Sequence, residues 1–242
     1  MMQFTEEWQG CKIILVILAH PDDPEFFLGA TIARWSAMGH IVHYCLLTHG
    51  DKGAQDLQTH PEQLSQLRAQ EQRAAAAILG VHSVSFLNYF DGYLEPDLAM
   101  RKDVVRVIRQ MKPDIVVSSD PLNVFPGEVR INHPDHRAAG LVVVDSVYPA
   151  AGNPFFFPEL IHQENLLPHS VKEVWLSVTN TPTITLDVTE YWEKKLQALL
   201  EHRSQIGDPV KFEERMRSRW TQPVDAKDPP RFEEKFRRIM MG

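Results

Sequence analysis

The sequence predicts an α/β fold: a doubly wound, mainly parallel sheet with helices on both faces. Three observations point there. Residues 13–18 form a continuous apolar run, Ile13-Ile14-Leu15-Val16-Ile17-Leu18, of the kind found in strands covered on both sides. Strand-like runs then alternate with helical periodicity over the first 150 residues, the pattern of parallel βαβ units with right-handed crossovers. The chain is 242 residues long, enough for one large α/β domain.

The elements follow in order. Residues 12–19 make the first strand. Leu28, Ile32, Trp35 and Met38 sit at helical spacing over 27–38, and Gly39 ends that helix. Residues 41–47 make the second strand, followed by a glycine-bearing loop, Thr48-His49-Gly50-Asp51-Lys52-Gly53. A helix runs from Pro61, at its first turn, to Leu79, before Gly80. Residues 83–88 are a short strand, and 97–111 a helix with Leu98, Val104, Val105 and Ile108 inward. Lys112-Pro113-Asp114 breaks that helix, and Ile115-Val116-Val117 is the fourth strand. A polar loop spans 119–132, and His133-Pro134-Asp135-His136 opens a helix that runs to Val147. Beyond a Pro/Phe-rich connection (149–168), strands are expected at 171–178 and 183–188 and an amphipathic helix at 189–205. Residues 207–242 are charged and carry Pro209, Pro223, Pro229 and Pro230. They read as a C-terminal arm, packed on the domain or on a neighbouring subunit, with one helix at 231–241. The expected organisation is a single domain over 1–206 followed by this arm.

Bulk properties narrow the function. A net charge of −7 argues against nucleic acid or an anionic membrane surface as the main partner. The run at 13–18 is too short to span a bilayer, and its acidic upstream flank (Glu6, Glu7) makes a poor signal peptide. Cys11 and Cys45, both in apolar strand-like surroundings, read as reduced core thiols rather than a disulfide scaffold. A cytoplasmic protein is expected.

The chemistry concentrates after the first strand. Ala19-His20-Pro21-Asp22-Asp23-Pro24-Glu25-Phe26 packs one imidazole and three carboxylates into six positions. Burying carboxylates is costly without opposite charge, and a divalent cation is the simplest source. Alone, the stretch also fits a turn with an aspartate at a helix N-cap. His133 and His136 alone also fit two surface histidines. Topology weighs against both bland readings. Ligands of doubly wound sheets bind at the carboxyl ends of the strands where the order reverses. With the order 3-2-1-4-5, the first and fourth strands are neighbours at that point, so both clusters meet there. Nitrogen and oxygen ligands with one position left for water describe a catalytic zinc site. Not every member can be a ligand. Asp22, beside Asp23 yet pointing elsewhere, is placed to accept a proton from activated water. His133 and Asp135 form a pair able to stabilise an oxyanion and protonate a leaving amine.

These residues resemble the LmbE-like / PIG-L family of zinc-dependent N-acetylglucosamine-type deacetylases. AHPDDPEF and NHPDH carry the likeness. Thr48–Gly53, Arg68 to Glu71, Lys112-Pro113-Asp114, Phe157 to Leu160, Pro168-His169 and Lys195 to Gln205 extend it over residues 11–206. The resemblance implies a Rossmann-like fold, one Zn2+ per chain held by His20, Asp23 and His136, and Asp22 as general base. It also implies His133 as the imidazolium that stabilises the tetrahedral intermediate, with Asp135 tuning it, and Arg68 near the substrate. Asn132, where some members carry Arg, is expected at the substrate too; Ile131 replaces a Tyr of some members, and Pro24 precedes Glu25.

The expected activity is removal of an N-acetyl group from an N-acetylglucosamine-type sugar or conjugate, a small-molecule partner. The rivals are a metal-dependent phosphoesterase and an inactive sugar-binding module; the lack of GxGxxG after the first strand argues against dinucleotide binding. The loop at 48–53 fits either a sugar hydroxyl contact or plain solvent exposure. Arg68 and Glu71 fit a simple i,i+3 pair. Phe155-Phe156-Phe157 fits core or an interface better than a lid, and together with the charged tail leaves a homo-oligomer open. Substrate choice is expected to lie in the loops at 89–96, 119–131 and 149–168.

Overall fold

The structure, a computed structural model, describes residues 6, 8–54, 58–127, 130–219 and 231–241. Its sheet is built outward from β1 (Ile13–Leu18), which pairs in parallel with β2 (Ile41–Thr48) on one side and β4 (Ile115–Ser119) on the other. β3 (Ser83–Tyr89) adds beyond β2, and β5 (Glu173–Ser177) beyond β4, again in parallel. The expected order 3-2-1-4-5 is therefore present. Two antiparallel strands, β6 (Ile184–Asp187) and β7 (Glu233–Met240), complete the sheet as β3-β2-β1-β4-β5-β7-β6.

Because side chains alternate along β1, its two faces feed two cores. Ile14, Val16 and Leu18 pack with residues of α1 (Asp23–Ala37), α2 (Pro61–Leu79), α6 (Trp192–Leu200) and α8 (Pro209–Arg217). Leu15 and Ile17 pack with α3 (Leu98–Met111) and α4 (Pro134–Asp145). The helices begin and end on ordinary signals. Asp97 caps α3 by accepting the Met100 N–H at 2.8 Å, and Gly80 closes α2 at φ 79°. Among the described residues, no helix is long and apolar enough to cross a membrane. Cys11 and Cys45 are both free; Cys45 is in the core as expected, whereas Cys11 is exposed.

Three expectations need correction. α1 starts at Asp23, inside the acidic motif, and is kinked at Leu28 (φ −149°, ψ 22°). The amphipathic helix at 189–205 is interrupted: a single 3-10 turn and α6 are followed by a short α7 (Arg203–Ile206). The helix expected at 231–241 is β7, a strand inserted between β5 and β6. Its charges suggest a solvated helix, but burial runs with period two there, Glu234 and Phe236 in and Lys235 out.

Tertiary partners override propensity in β7. The kink at Leu28 leaves N–H groups without carbonyls one turn earlier, and buried Glu234 accepts from Ala30 (3.3 Å) and Thr31 (2.8 Å). The same carboxylate pairs with buried Lys195 at 2.6 Å. The C-terminal strand thus anchors the helix that carries the motif. The remainder of the expected arm contains α8, and residues 220–230 lie outside the described residues. In the 149–168 connection a short α5 (Pro158–His162) forms, Phe156 and Phe157 pack on Val105, Ala150 and Leu160, and Phe155 is 90% exposed.

Candidate metal centre

The chain leaves the sheet at Ala19, whose carbonyl accepts both the N–H (2.9 Å) and the hydroxyl (3.0 Å) of Thr48 at the end of β2. A tight turn follows, with Asp22 at φ 87°, ψ −28°, left-handed backbone that costs a non-glycine residue about 1–2 kcal/mol. α1 starts on the next residue. Asp23 therefore lies at a helix N-terminus, where the helix dipole favours a carboxylate, and its Oδ2 accepts from the His20 N–H at 2.9 Å.

The second cluster opens α4. Its first turn faces β1 across the switch point and brings ring nitrogens of His20, His133 and His136 within 4.8 Å of one another. Asp23 bridges two of these rings, its oxygens 3.4 Å from His20 Nδ1 and 3.0 Å from His136 Nε2.

Hydrogen bonding distinguishes the three imidazoles. His20 donates Nε2–H to Asp91 (3.1 Å) and Asp135 (3.2 Å), which leaves Nδ1 facing Asp23. Asn132 donates its amide nitrogen to the Asn123 carbonyl at 2.8 Å, so its oxygen faces His136 Nδ1 at 3.0 Å. His136 thereby turns Nε2 to Asp23. His133 is the reverse: its Nδ1 accepts the Asp135 N–H at 3.2 Å, placing the ring proton on Nε2. Two imidazoles thus turn their remaining nitrogens to Asp23, where a bound cation would displace any proton they carry, and the third offers Nε2–H. Imidazoles held from behind by oxygen acceptors are the usual support of a metal ligand set.

Charge favours a cation here as well. Burial works against protonation of His20, yet Asp23, Asp135 and Asp91 together push its pKa up to about 12. Asp23 is held far below the usual carboxylate range, with burial overcome by His136 and His20. Asp91 is brought down to about 2 against its burial by His20 and the Lys52 N–H. The donor set fits a divalent ion of the zinc type. His133 is pushed below its ordinary pKa by burial and by the two neighbouring imidazoles, with Asp135 and Asp91 opposing, and so favours the neutral ring rather than the expected imidazolium.

Asp22 stands apart from this set. Burial raises its carboxyl to about 6, while Arg68, at 3.3 Å, pulls the other way. Arg68 is 5% exposed and donates to the Gly50 (2.7 Å) and Pro21 (2.7 Å) carbonyls, clamping the turn. The pair with Glu71 does not form; Glu71 accepts from Ser204 N–H and hydroxyl at 2.8 and 2.6 Å. The glycine loop after β2 closes over the guanidinium. A Cβ at Gly50, where φ is +67°, would lie 2.3 Å from Arg68 Nη1.

The structure thus gathers His20, Asp22, Asp23, Arg68, Asn132, His133, Asp135 and His136 in one place. Two contacts differ from the sequence reading. The Asp135 carboxylate, expected on His133, meets His20 and the N–H groups of Gly92 (2.7 Å) and Leu94 (3.2 Å). Asn132, expected at the substrate, is buried and its amide is spent on His136 and Asn123. Asp91 escapes sequence reading. It sits in an Asp-Gly pair that reads as turn chemistry, and only its place after β3, on the same rim, hints at more.

The chain matches the family described as PIG-L, GlcNAc-PI de-N-acetylase, over residues 15–147. It is 35% identical to the diacetylchitobiose deacetylase of Thermococcus kodakarensis over 208 residues, covering 86% of this chain and 75% of that one. It is 27% identical over 248 residues to the 1D-myo-inositol 2-acetamido-2-deoxy-alpha-D-glucopyranoside deacetylase of Thermobifida fusca, covering 80% and 83%. Among solved structures, the N,N'-diacetylchitobiose deacetylase from Pyrococcus horikoshii superposes with a TM-score of 0.82 at 32% identity, over 95% of this chain and 84% of that one.

Proposed function

The chain belongs to the PIG-L (GlcNAc-PI de-N-acetylase) family, and from that premise we propose that it is a zinc-dependent hydrolase of the N-acetyl group of an N-acetylglucosamine-type sugar or conjugate. His20, Asp23 and His136 would hold one zinc ion per chain. Bound there, zinc supplies Lewis-acid polarisation of the amide carbonyl and lowers the pKa of water.

The chain's own groups do the rest. Asp22, pushed up to about 6 and kept off the ligand set by its backbone twist, takes the proton of the attacking water and returns it to the departing amine. His133 donates Nε2–H to the carbonyl oxygen as negative charge develops. Asp135 and Asp91 orient His20, Asn132 orients His136, and Arg68 holds the turn and counters the Asp22 charge. The reading includes a cytoplasmic setting and an amino-sugar conjugate as the small-molecule partner.

The observation that carries this reading is the arrangement of donors: two imidazole nitrogens turned to Asp23 by acceptors behind them, with one carboxylate and one imidazole N–H left over. The test is amine release from N-acetylglucosamine, its β-1,4 dimer and an inositol conjugate, with a chelator and after zinc is returned. Release lost on chelation and restored by zinc is expected. Release insensitive to chelation, or hydrolysis of phosphate esters alone, would contradict it.

A further inference from the structure

Asp22 is the one residue of the site whose backbone is strained, at φ 87°, and its side chain makes no capping bond that would hold it there. The restraint comes from a distant element. Gln72, on α2 and fully buried, accepts the Asp22 N–H on its Oε1 at 2.8 Å. Its amide nitrogen lies 3.0 Å from both oxygens of Glu25. Those oxygens accept, so the amide nitrogen must face them and the amide oxygen must face Asp22. Glu25 is in turn met by His202 Nε2 at 3.1 Å. Glu25, Gln72 and His202 are all 0% exposed. Arg68, one turn earlier on α2, grips the Pro21 carbonyl from the same helix.

We propose that Gln72 is a positioning residue for the deacetylation, holding the Asp22 main chain in its left-handed conformation through a relay that runs from His202 through Glu25. This rests on the functional reading above. Asp22 and Asp23 are adjacent carboxylates that need opposite roles. The twist at residue 22 is what points one at the ligand set and the other away, and a backbone relaxed to negative φ would bring Asp22 round. Arg68 fixes the carbonyl before it, and a fixed acceptor at the Asp22 N–H holds the residue itself in the twist. Gln72 touches neither substrate nor metal; it acts through Asp22.

The relay has a direction, so exchanging its ends tests it. Gln72→Glu sets two carboxylates against each other. In Gln72→Glu/Glu25→Gln, Glu at 72 accepts from Asp22 N–H and from the new amide at 25, whose oxygen accepts from His202. One of the two hydrogen bonds between positions 72 and 25 is kept, the contacts to Asp22 N–H and His202 are kept, and the charge count is unchanged. Gln72→Glu should lower kcat roughly 10- to 100-fold at unchanged KM and zinc content, and the double variant should recover to within about threefold of wild type. Wild-type kcat in folded Gln72→Glu, or no recovery in a folded, zinc-loaded double variant, would overturn the proposal. If Gln72→Glu does not fold, the near-isosteric Gln72→Met replaces it with the same expected loss.

Should the wild type release no amine from any N-acetyl sugar, the functional reading falls, and the relay is judged separately. Crystal structures of metal-free wild type and Gln72→Met should then show positive φ at residue 22 in the first and negative φ in the second. Positive φ in both would overturn the positioning role.

Discussion

The Asp135 carboxylate reaches from the first turn of α4 to the His20 imidazole at the end of β1, Oδ2 to Nε2 at 3.2 Å, across the point where the strand order reverses. Both partners are buried, and the same carboxylate ties down the N–H groups of Gly92 and Leu94. With Asp91, this side chain orients the His20 ring so that Nδ1 faces Asp23, and it also shapes the loop after β3.

Asp135→Asn weakens that support without removing volume. An amide oxygen can replace only part of the carboxylate's acceptor capacity. Zinc affinity, measured by competition with a chromogenic chelator, should fall roughly 10- to 100-fold. Unchanged affinity would remove Asp135 from the support of the ligand set.

Stability should depend on pH through His202. Burial opposes its protonation, but the Glu25 carboxylate, with Asp22 and Glu71 further off, outweighs burial and raises its pKa above the ordinary 6.5. A pKa raised by folding gives stability that is fully present below the unfolded value and lost as pH rises through the folded value. Wild type should therefore exceed His202→Gln in denaturant stability by more at about pH 6 than at about pH 9. A gap that stays constant over that range would contradict the assignment.

Glu234 should be among the residues most costly to truncate. It accepts two freed α1 N–H groups and pairs with Lys195, which is 4% exposed. Glu234→Ala leaves a buried ammonium without its partner, and equilibrium unfolding should register a loss of about 3–5 kcal/mol. A loss below about 1 kcal/mol, the range of surface pairs, would mean that β7 does not anchor α1.

The strand order and the meeting of the two His/Asp clusters were legible in the sequence because both follow from chain order. βαβ alternation fixes the neighbours of β1, and motifs at strand ends must then converge. Contacts between side chains were less legible. Nothing in the sequence separates Asp91 from an ordinary Asp-Gly turn, or tells Asp135 to face His20 rather than His133. The buried set Glu25, Gln72 and His202 is scattered over 178 positions and becomes one relay only after α1, α2 and the α6–α7 junction come together on one face of the sheet. β7 escaped because its charges satisfy helical propensity, while its place was determined by Glu173, which takes the Arg238 guanidinium at 2.8 and 2.9 Å, and by the open N–H groups of α1.

The most direct test of the account is zinc content and turnover of Asp22→Asn, measured on the same preparation. Asp22 is placed off the ligand set and given the proton, so the variant should keep one zinc per chain while kcat falls roughly 10²- to 10⁴-fold. Turnover near that of wild type, or zinc lost along with turnover, would contradict the division of roles between Asp22 and Asp23.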